Sequence, residues 1–132
     1  MQKLFNQDKK TDTKYDTNNI FAKILRKEIP CTIIYEDQHV LCFEDISRTA
    51  PIHWLVIPKK PYTDLYHFTS ETSPEEIANF FLSINKIIQK HNLDKQGFRI
   101  VTNTGENGGQ SVFHFHVHIL SGTKMRELHK QS

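Results

Sequence analysis

The sequence has little of what a disulfide-stabilised or membrane-spanning protein needs. Only two of its 132 residues are cysteine, Cys31 and Cys42, and they do not form a C-x-x-C pair. Two isolated thiols exclude a disulfide framework and favour free thiols in a reducing compartment. No apolar run approaches the ~20 residues that cross a bilayer. The first residues lack the apolar segment of a signal peptide, so we expect a cytoplasmic protein.

An excess of charge of one sign is also missing. The chain carries 17 basic and 15 acidic side chains, for a net charge of +2. Nucleic-acid and membrane surfaces require clustered basic residues, so we expect neither partner and only local anion binding. With 37% hydrophobic and 24% charged residues, the composition is that of a single globular domain.

The folded part is expected to begin near residue 19. Residues 1–18 are polar and lysine-rich, which predicts a mobile N-terminal tail. We predict a domain over residues 19–125 and a C-terminal tail over 126–132. Asn18 or Asn19 is suited to cap a short helix that ends before Pro30.

The clearest predicted element is a long helix after Ser73. Ser73 as the N-cap, Pro74 at the first position and Glu76 three residues after the cap form a capping box. Apolar residues at helical spacing continue it to about His91. Residues 61–72 are predicted as a loop. Four or five strands are predicted, which together with the helices favours an α+β fold on an antiparallel sheet: "TIIYED", "HVLCFED", residues 53–60, residues 98–103 and the segment considered next.

One short segment carries histidine at every second position. In "SVFHFHVHIL", residues 111–120, histidine alternates with apolar side chains: His114, His116 and His118 against Phe113, Phe115, Val117 and Ile119. Side chains at i, i+2 and i+4 of a β-strand share a face. The pattern therefore predicts a strand that presents three imidazoles on one face and buries the apolar residues on the other.

Three interpretations of the histidine face are open. The first is a solvated surface without chemistry. The second is a zinc site formed by two of the histidines with an outside ligand such as His53 or an acid, since the outer two lie about 13 Å apart along a regular strand. In the third, the central imidazole attacks phosphorus while its neighbours donate hydrogen bonds to the charged oxygens. We favour the third.

The loop before this strand supports anion chemistry. "NTGENGGQS", residues 103–111, contains Gly105, Gly108 and Gly109, which permit close approach of the backbone. Backbone N–H groups in such a loop can form an anion-binding nest, and Gln110 and Ser111 add side-chain donors. A flexible hairpin turn would also favour glycine, so the glycines indicate an anion site only because they lie beside three histidines.

"HFHVHIL" resembles the histidine triad signature, His-x-His-x-His followed by apolar residues. "NIFAKILRKEIP", "APIHWLVIPKK" and "VTNTGENGGQSVFHFHVHIL" occur in the order of the histidine triad (HIT) superfamily, over roughly residues 18–125. The chain is most similar to its Hint-like, protein-kinase-C-inhibitor-like branch of nucleotide hydrolases. The resemblance implies a five-stranded antiparallel sheet with one long and one short helix, joined to a ten-stranded sheet in a homodimer.

The resemblance also implies an activity, with no cofactor and no metal. Relatives hydrolyse purine nucleoside phosphoramidates, such as adenosine 5′-phosphoramidate or AMP linked to a lysine amine. His116 would attack the α-phosphorus and form a nucleotidyl-histidine that water then cleaves. His118 would donate to phosphate oxygens, and His114 would help to orient the site. The alternative is a nucleotide-binding adaptor or sensor dimer with residual activity.

Further site residues follow from the same resemblance. His53 would lie next to the triad and Ser111 near the leaving group. Asp45 would accept hydrogen bonds from the ribose hydroxyls. The remaining implied contacts are Asn103, Gly109 and Gln110 near the phosphate, and Ile20, Phe21, Ile24 and Phe43 around the base.

Three departures from the family pattern concern substrate and metal. Pro61 stands where many relatives have a histidine after Pro-Lys-Lys. Asn19 and Ala22 replace a cysteine pair that helps to hold zinc in some bacterial relatives, which argues against structural zinc. "RELHKQS" replaces an aromatic, proline-rich C-terminus that often helps to select the leaving group.

Overall fold

The computed structural model describes residues 14–128; the rest of the predicted tails, residues 1–13 and 129–132, lie outside the described residues. The strands order as β1-β2-β3-β5-β4 with every neighbouring pair antiparallel, which confirms the predicted α+β fold. None of the helices in the described part is long and apolar enough to cross a membrane. The helices are α1 (Ile20–Leu25), α2 (Leu65–Glu71), α3 (Pro74–Lys90) and α4 (Leu93–Gln96), and the strands are β1 (Ile33–Glu36), β2 (Val40–Glu44), β3 (Ile52–Pro58), β4 (Arg99–Val101) and β5 (Val117–Ser121).

The two faces of the sheet bury two different apolar clusters. On β3, Trp54 and Val56 pack into the cluster that contains the buried side chains of α3. Leu55 and Ile57 pack into a second cluster, which contains Phe21 of α1. This division follows from the period of two along a strand. Because Phe115, Val117 and Ile119 join the first cluster, the alternate histidines face the side that carries α1.

The long helix α3 forms as the capping box predicts. The Ser73 hydroxyl oxygen accepts a hydrogen bond from the backbone N–H of Glu76 at 3.1 Å, and Pro74 occupies the first turn. Ile84 and Ile87 are buried against the sheet. The helix covers one face of the sheet and leaves the other to α1 and the histidines.

The segment predicted as a loop, residues 61–72, contains a helix. Asp64 caps α2 by accepting a hydrogen bond from the backbone N–H of His67 at 2.8 Å. Phe68 is the buried side chain of this helix and stacks on Phe115. Such a short helix with one buried residue shows no repeating apolar period, which is why the pattern did not reveal it.

Strand β5 begins later than predicted. The ladder with β3 starts at the pair Val117 and Val56, and residues 111–116 precede the strand. Beyond that pair, β3 ends at Pro58, which has no N–H to donate, and the backbone N–H of Phe115 instead donates to the carbonyl of Tyr62 at 2.7 Å. The prediction that Phe113 is buried was wrong, since its side chain is 45% exposed.

The residues just before α1 contact the domain, although the predicted tail extends to residue 18. The carbonyl of Thr17 accepts a hydrogen bond from the Arg26 guanidinium at 2.8 Å. Asn19 caps α1, because its side-chain oxygen accepts from the backbone N–H of Ala22 at 2.9 Å. That residues 1–13 form a mobile tail stays a prediction, because they lie outside the described residues.

Candidate active site

An open cavity of about 400 Å³ lies on the α1 side of the sheet. Its volume is within the range of small-molecule sites. Its walls come from α1, the β2–β3 loop, the glycine-rich loop and β5. The lining residues are Ile20, Phe21, Asp45, Ile46, Ser47, Leu55, Asn103, Gly109, Gln110, Ser111, Val112, His116 and His118.

His116 presents an unprotonated ring nitrogen at this cavity. Its Nδ1 lies 2.7 Å from the backbone carbonyl oxygen of His114. A carbonyl only accepts, so the partner assigns the proton of the neutral ring to Nδ1 and leaves the lone pair on Nε2. No hydrogen bond within residues 14–128 involves that Nε2. Burial lowers the pKa of His116, opposed by the His114 carbonyl and by the charge of Asp45. This arrangement suits a nucleophile.

A chain of hydrogen bonds sets the proton of His118. The backbone N–H of Thr49 donates to Nδ1 of His53 at 3.1 Å, so the proton of the neutral His53 ring is on Nε2. That Nε2 lies 2.9 Å from Nδ1 of His118. His118 therefore accepts at Nδ1 and carries its own proton on Nε2, as a donor to phosphate requires. Burial, together with His116 and His53, lowers its pKa to about 4.

His114 lies behind the cavity rather than in its wall. The ring is completely buried, with Nε2 2.9 Å from the carbonyl oxygen of Pro58 and Nδ1 2.6 Å from the hydroxyl of Tyr15. Burial lowers its pKa to about 4, so the ring is neutral near neutral pH. Its carbonyl holds His116, which is the orienting role that the resemblance implied.

Asp45 offers a carboxylate to the cavity beside His53 and His118. Oδ1 accepts a hydrogen bond from the backbone N–H of Ser47 at 2.8 Å, and Oδ2 lies 3.3 Å from Nε2 of His53. The side chain is 19% exposed. An ionised carboxylate has about four lone-pair sites, so Asp45 retains the capacity to accept from two hydroxyl groups.

The glycine-rich loop is held by its own side chains. The amide nitrogen of Asn103 donates to the carbonyl of Gly108 at 2.8 Å. The amide nitrogen of Gln110 donates to the carbonyls of Thr63 and Val112, and its amide oxygen accepts from the Gly105 N–H. The expectation that the Gln110 side chain donates to an anion is therefore wrong, since its donors bind the protein backbone. Gly109 and Gln110 both line the cavity, but their backbone N–H groups donate to the carbonyls of Glu106 and Gly105 within the loop.

The predicted apolar slot is partly at the surface of the cavity and partly behind it. Ile20 and Phe21 line the cavity, whereas Phe43 is buried behind Phe21 with ring centroids 5.5 Å apart. Ile24 lines a second cavity of about 440 Å³ that contains none of the triad. Leu55, which sequence reasoning missed, completes the slot. Its place two residues after His53 on β3 puts both side chains on one face and was the available signal.

The described residues contain one group that could hold a metal ion, formed by Asp45, His53 and His118. One ligand atom from each lies within 4.8 Å of the other two. Imidazole and carboxylate are zinc ligands. The predicted alternative used two triad histidines, but only His118 belongs to this group.

Comparison with known proteins identifies the family. The HIT domain model matches residues 26–125. A HIT-like protein of Rickettsia prowazekii is 49% identical over 84% of this chain and 92% of its own length. A 14 kDa zinc-binding protein of Zea mays is 43% identical over 83% of this chain and 86% of its own length. The chain belongs to the HIT family.

Solved structures agree with this assignment. A histidine triad protein from Clostridium difficile superposes with a TM-score of 0.77 at 40% identity, covering 86% of this chain and 98% of that one. A HIT family hydrolase from Clostridium thermocellum superposes with a TM-score of 0.72 at 34% identity, covering 83% and 95% of the two chains. The fold is that of the family.

Proposed function

We propose that the protein is a hydrolase of purine nucleoside phosphoramidates that acts through a covalent nucleotidyl-histidine at His116. The observation that carries the proposal is the Nε2 atom of His116. The His114 carbonyl fixes the proton on the other ring nitrogen, and Nε2 has no protein partner in the described structure. Imidazole nucleophiles divide one displacement into two easier ones. The hydrolase name of the Clostridium thermocellum relative agrees with this chemistry.

The reaction has two steps at the same phosphorus. In the first, Nε2 of His116 forms a bond to the α-phosphorus while the phosphorus–nitrogen bond breaks, and the leaving amine takes up a proton. In the second, water attacks the phosphorus, loses a proton and releases nucleoside monophosphate from His116. The Nε2–H of His118 and the hydroxyl of Ser111, a residue that lines the cavity, stabilise the charge that develops on the phosphoryl oxygens.

The walls of the cavity support a purine nucleoside as the group transferred. Ile20, Phe21 and Leu55 offer an apolar surface to a flat base. Asp45 offers carboxylate oxygens to the two ribose hydroxyls. The cavity volume of about 400 Å³ accommodates one nucleotide.

The same cavity would serve a nucleotide-binding adaptor, the alternative function. An adaptor does not require a buried imidazole whose one lone pair is kept free of protein donors, whereas a nucleophile does. Steady-state kinetics on adenosine, guanosine and cytidine phosphoramidates separate the two. A negligible rate on every substrate, with tight binding of AMP, would favour the adaptor.

Trapping of the intermediate is the direct test. Protein quenched with acid during turnover of adenosine 5′-phosphoramidate should gain the mass of one adenylyl group, located by peptide mapping to His116. The His116→Ala variant, treated in the same way, should gain none. An adenylyl group on another residue, or turnover with no adduct under single-turnover conditions, would contradict the proposal.

We propose further that two copies join through β4. This strand pairs with β5 on one side only within the described sheet. Phe98, just before the strand, and Ile100, within it, are 39% and 40% exposed, and an open apolar edge favours pairing. Light scattering should give a dimer for the wild type and a monomer for Ile100→Lys. A wild-type monomer at assay concentration would contradict this.

A further inference from the structure

Tyr15 makes a contact that no part of the predicted site includes. It precedes α1, within the segment that the sequence predicts as a tail. Its hydroxyl oxygen lies 2.6 Å from Nδ1 of His114, and the two rings meet edge to face with centroids 5.6 Å apart. This is a contact between residues 99 positions apart in the chain.

The direction of this hydrogen bond follows from the other side of the imidazole. The Pro58 carbonyl can only accept, so Nε2 of the neutral His114 ring carries the proton and Nδ1 accepts from the Tyr15 hydroxyl. Burial raises the pKa of Tyr15, which keeps the hydroxyl protonated. Because His114 is 0% exposed, water cannot replace the hydroxyl without a rearrangement.

The residues that directly follow Tyr15 are hydrogen-bonded to α1 and to its cap. The backbone carbonyl of Asp16 accepts from the side-chain amide of Asn19 at 2.8 Å. The carboxylate of Asp16 accepts from the backbone N–H of Asn18 at 2.9 Å. The next carbonyl, that of Thr17, binds the Arg26 guanidinium. The chain next to Tyr15 is therefore anchored to α1, which limits how far the Tyr15 ring can move from His114.

His114 transmits this restraint to His116 through one peptide group. The carbonyl of that group accepts from Nδ1 of His116, and its N–H, on Phe115, donates to the carbonyl of Tyr62. With both ring nitrogens bonded, the His114 side chain cannot rotate away. Phe21 packs edge-on against both histidine rings, with centroids 6.5 Å and 5.0 Å away.

We propose that Tyr15 is a positioning residue for the reaction: its hydroxyl fixes the His114 imidazole, and the His114 carbonyl in turn aims the lone pair of His116 at phosphorus. The inference rests on the proposed function, because the group being aimed is the proposed nucleophile. It assigns a role to the segment before α1, which the family motifs do not cover.

Tyr15→Phe is the informative variant because it removes one oxygen and keeps the ring. We expect kcat on adenosine 5′-phosphoramidate to fall about tenfold, since misalignment of reacting groups acts on the chemical step. The dissociation constant of AMP should change less than about twofold, because no ligand-facing side chain is altered. Nitrogen-15 spectra of the histidine rings should show a shift at Nδ1 of His114 and a second conformer at His116.

Two control variants separate positioning from stability. Tyr35 lies on β1, away from the cavity, and Tyr35→Phe removes a hydroxyl that donates to Asp37. Ile87→Val lowers the stability of the α3 face without touching the site. Both should keep wild-type kcat well below their melting temperatures, whereas Tyr15→Phe should not.

The outcomes are distinguishable from failure of the proposed function. If Tyr15→Phe keeps wild-type kcat and an unchanged His116 spectrum, the inference is overturned. The inference is also overturned if the fall in kcat is fully explained by a smaller fraction of folded protein. If the wild type shows no turnover on any phosphoramidate, the proposed function fails, and the His116 ring spectrum of Tyr15→Phe then decides the positioning role alone.

Discussion

The backbone carbonyl oxygen of His114 accepts a hydrogen bond from Nδ1 of His116 at 2.7 Å. The two histidines are two positions apart in one segment, so the main chain of His114 sets the tautomer of His116. A carbonyl cannot donate, so no change of side-chain rotamer at His114 can reverse this assignment. The site obtains a neutral imidazole with its lone pair on Nε2 without using a carboxylate to orient it.

Removal of the nucleophile is the first prediction. In His116→Ala, kcat/KM on an adenosine phosphoramidate should fall by at least about a thousandfold, equivalent to about 4 kcal/mol of transition-state stabilisation. AMP should still bind, because the apolar slot and Asp45 remain. Turnover assays and calorimetric titration measure the two quantities. His39→Ala, in the turn between β1 and β2, serves as the control, and a His116→Ala variant with wild-type rates would disprove the assignment.

Recognition of the ribose provides the second prediction. Asp45→Asn should weaken turnover of a ribonucleoside phosphoramidate by about tenfold to a hundredfold, because it replaces a charged acceptor of two hydroxyl hydrogen bonds. The 2′,3′-dideoxy analogue lacks those hydroxyls, so the same substitution should alter its kcat/KM far less. Equal losses on both substrates would mean that Asp45 acts on the histidines and not on the sugar.

Local sequence patterns predicted the long helix and the buried face of the histidine segment. The Ser73 capping box and the apolar period after it defined α3 within a residue of its observed end. Alternation along residues 115–119 placed Phe115, Val117 and Ile119 in one cluster, as observed. These features depend on neighbours within a few positions, which a sequence displays directly. The alternating pattern extended β5 back to Phe113, whereas the ladder with β3 begins at Val117. The early end of the ladder depends on Pro58 of β3, which the pattern within residues 111–120 does not contain.

The contacts that set the protons could not be predicted in this way. The Tyr15 hydroxyl binds His114 across 99 positions of the chain. Thr49 binds His53 through its backbone N–H, a group that no sequence pattern marks. Gln110 looked like a free donor before the histidine strand, yet its amide is bonded to Thr63. Which polar group is free and which is hydrogen-bonded depends on tertiary packing, which no local sequence pattern displays.

The dependence of rate on pH is the third prediction. Attack requires neutral His116, whose pKa burial lowers from 6.5. Half of the nucleophile is therefore protonated only below that value, so the acid limb of kcat/KM should have its midpoint below pH 6.5. The charge of Asp45 raises the His116 pKa, so Asp45→Asn should move the acid limb to still lower pH. An acid limb above 6.5 would mean that another group controls the rate.

Metal removal is the fourth prediction. The proposed reaction uses imidazole and hydroxyl groups of the chain, so prolonged dialysis against a chelator should leave kcat unchanged. Elemental analysis should be made on protein purified without a histidine tag, since the group of Asp45, His53 and His118 offers ligands that suit zinc. Stoichiometric zinc that is lost together with activity, and restores it when returned, would replace the metal-free mechanism.

The buried histidines also make stability depend on pH, which is the fifth prediction. Burial lowers the pKa of His114 and of His118 to about 4, below the 6.5 of an exposed histidine. Between these values the unfolded chain binds protons that the folded protein does not, so the free energy of unfolding falls as the pH is lowered. Two such groups give a slope of up to about 2.7 kcal/mol per pH unit near the middle of this range.

Urea denaturation at a series of pH values measures that slope. His118→Gln removes one of the two titrating groups and should reduce the slope by up to about 1.4 kcal/mol per pH unit. Tyr15→Phe should leave the His118 contribution in place and alter only that of His114, because the hydroxyl bonds to that ring alone among the four histidines of the site. A flat profile between pH 4 and 6.5 would show that both rings protonate in the folded protein, and would remove the basis for the neutral tautomers on which the nucleophile depends.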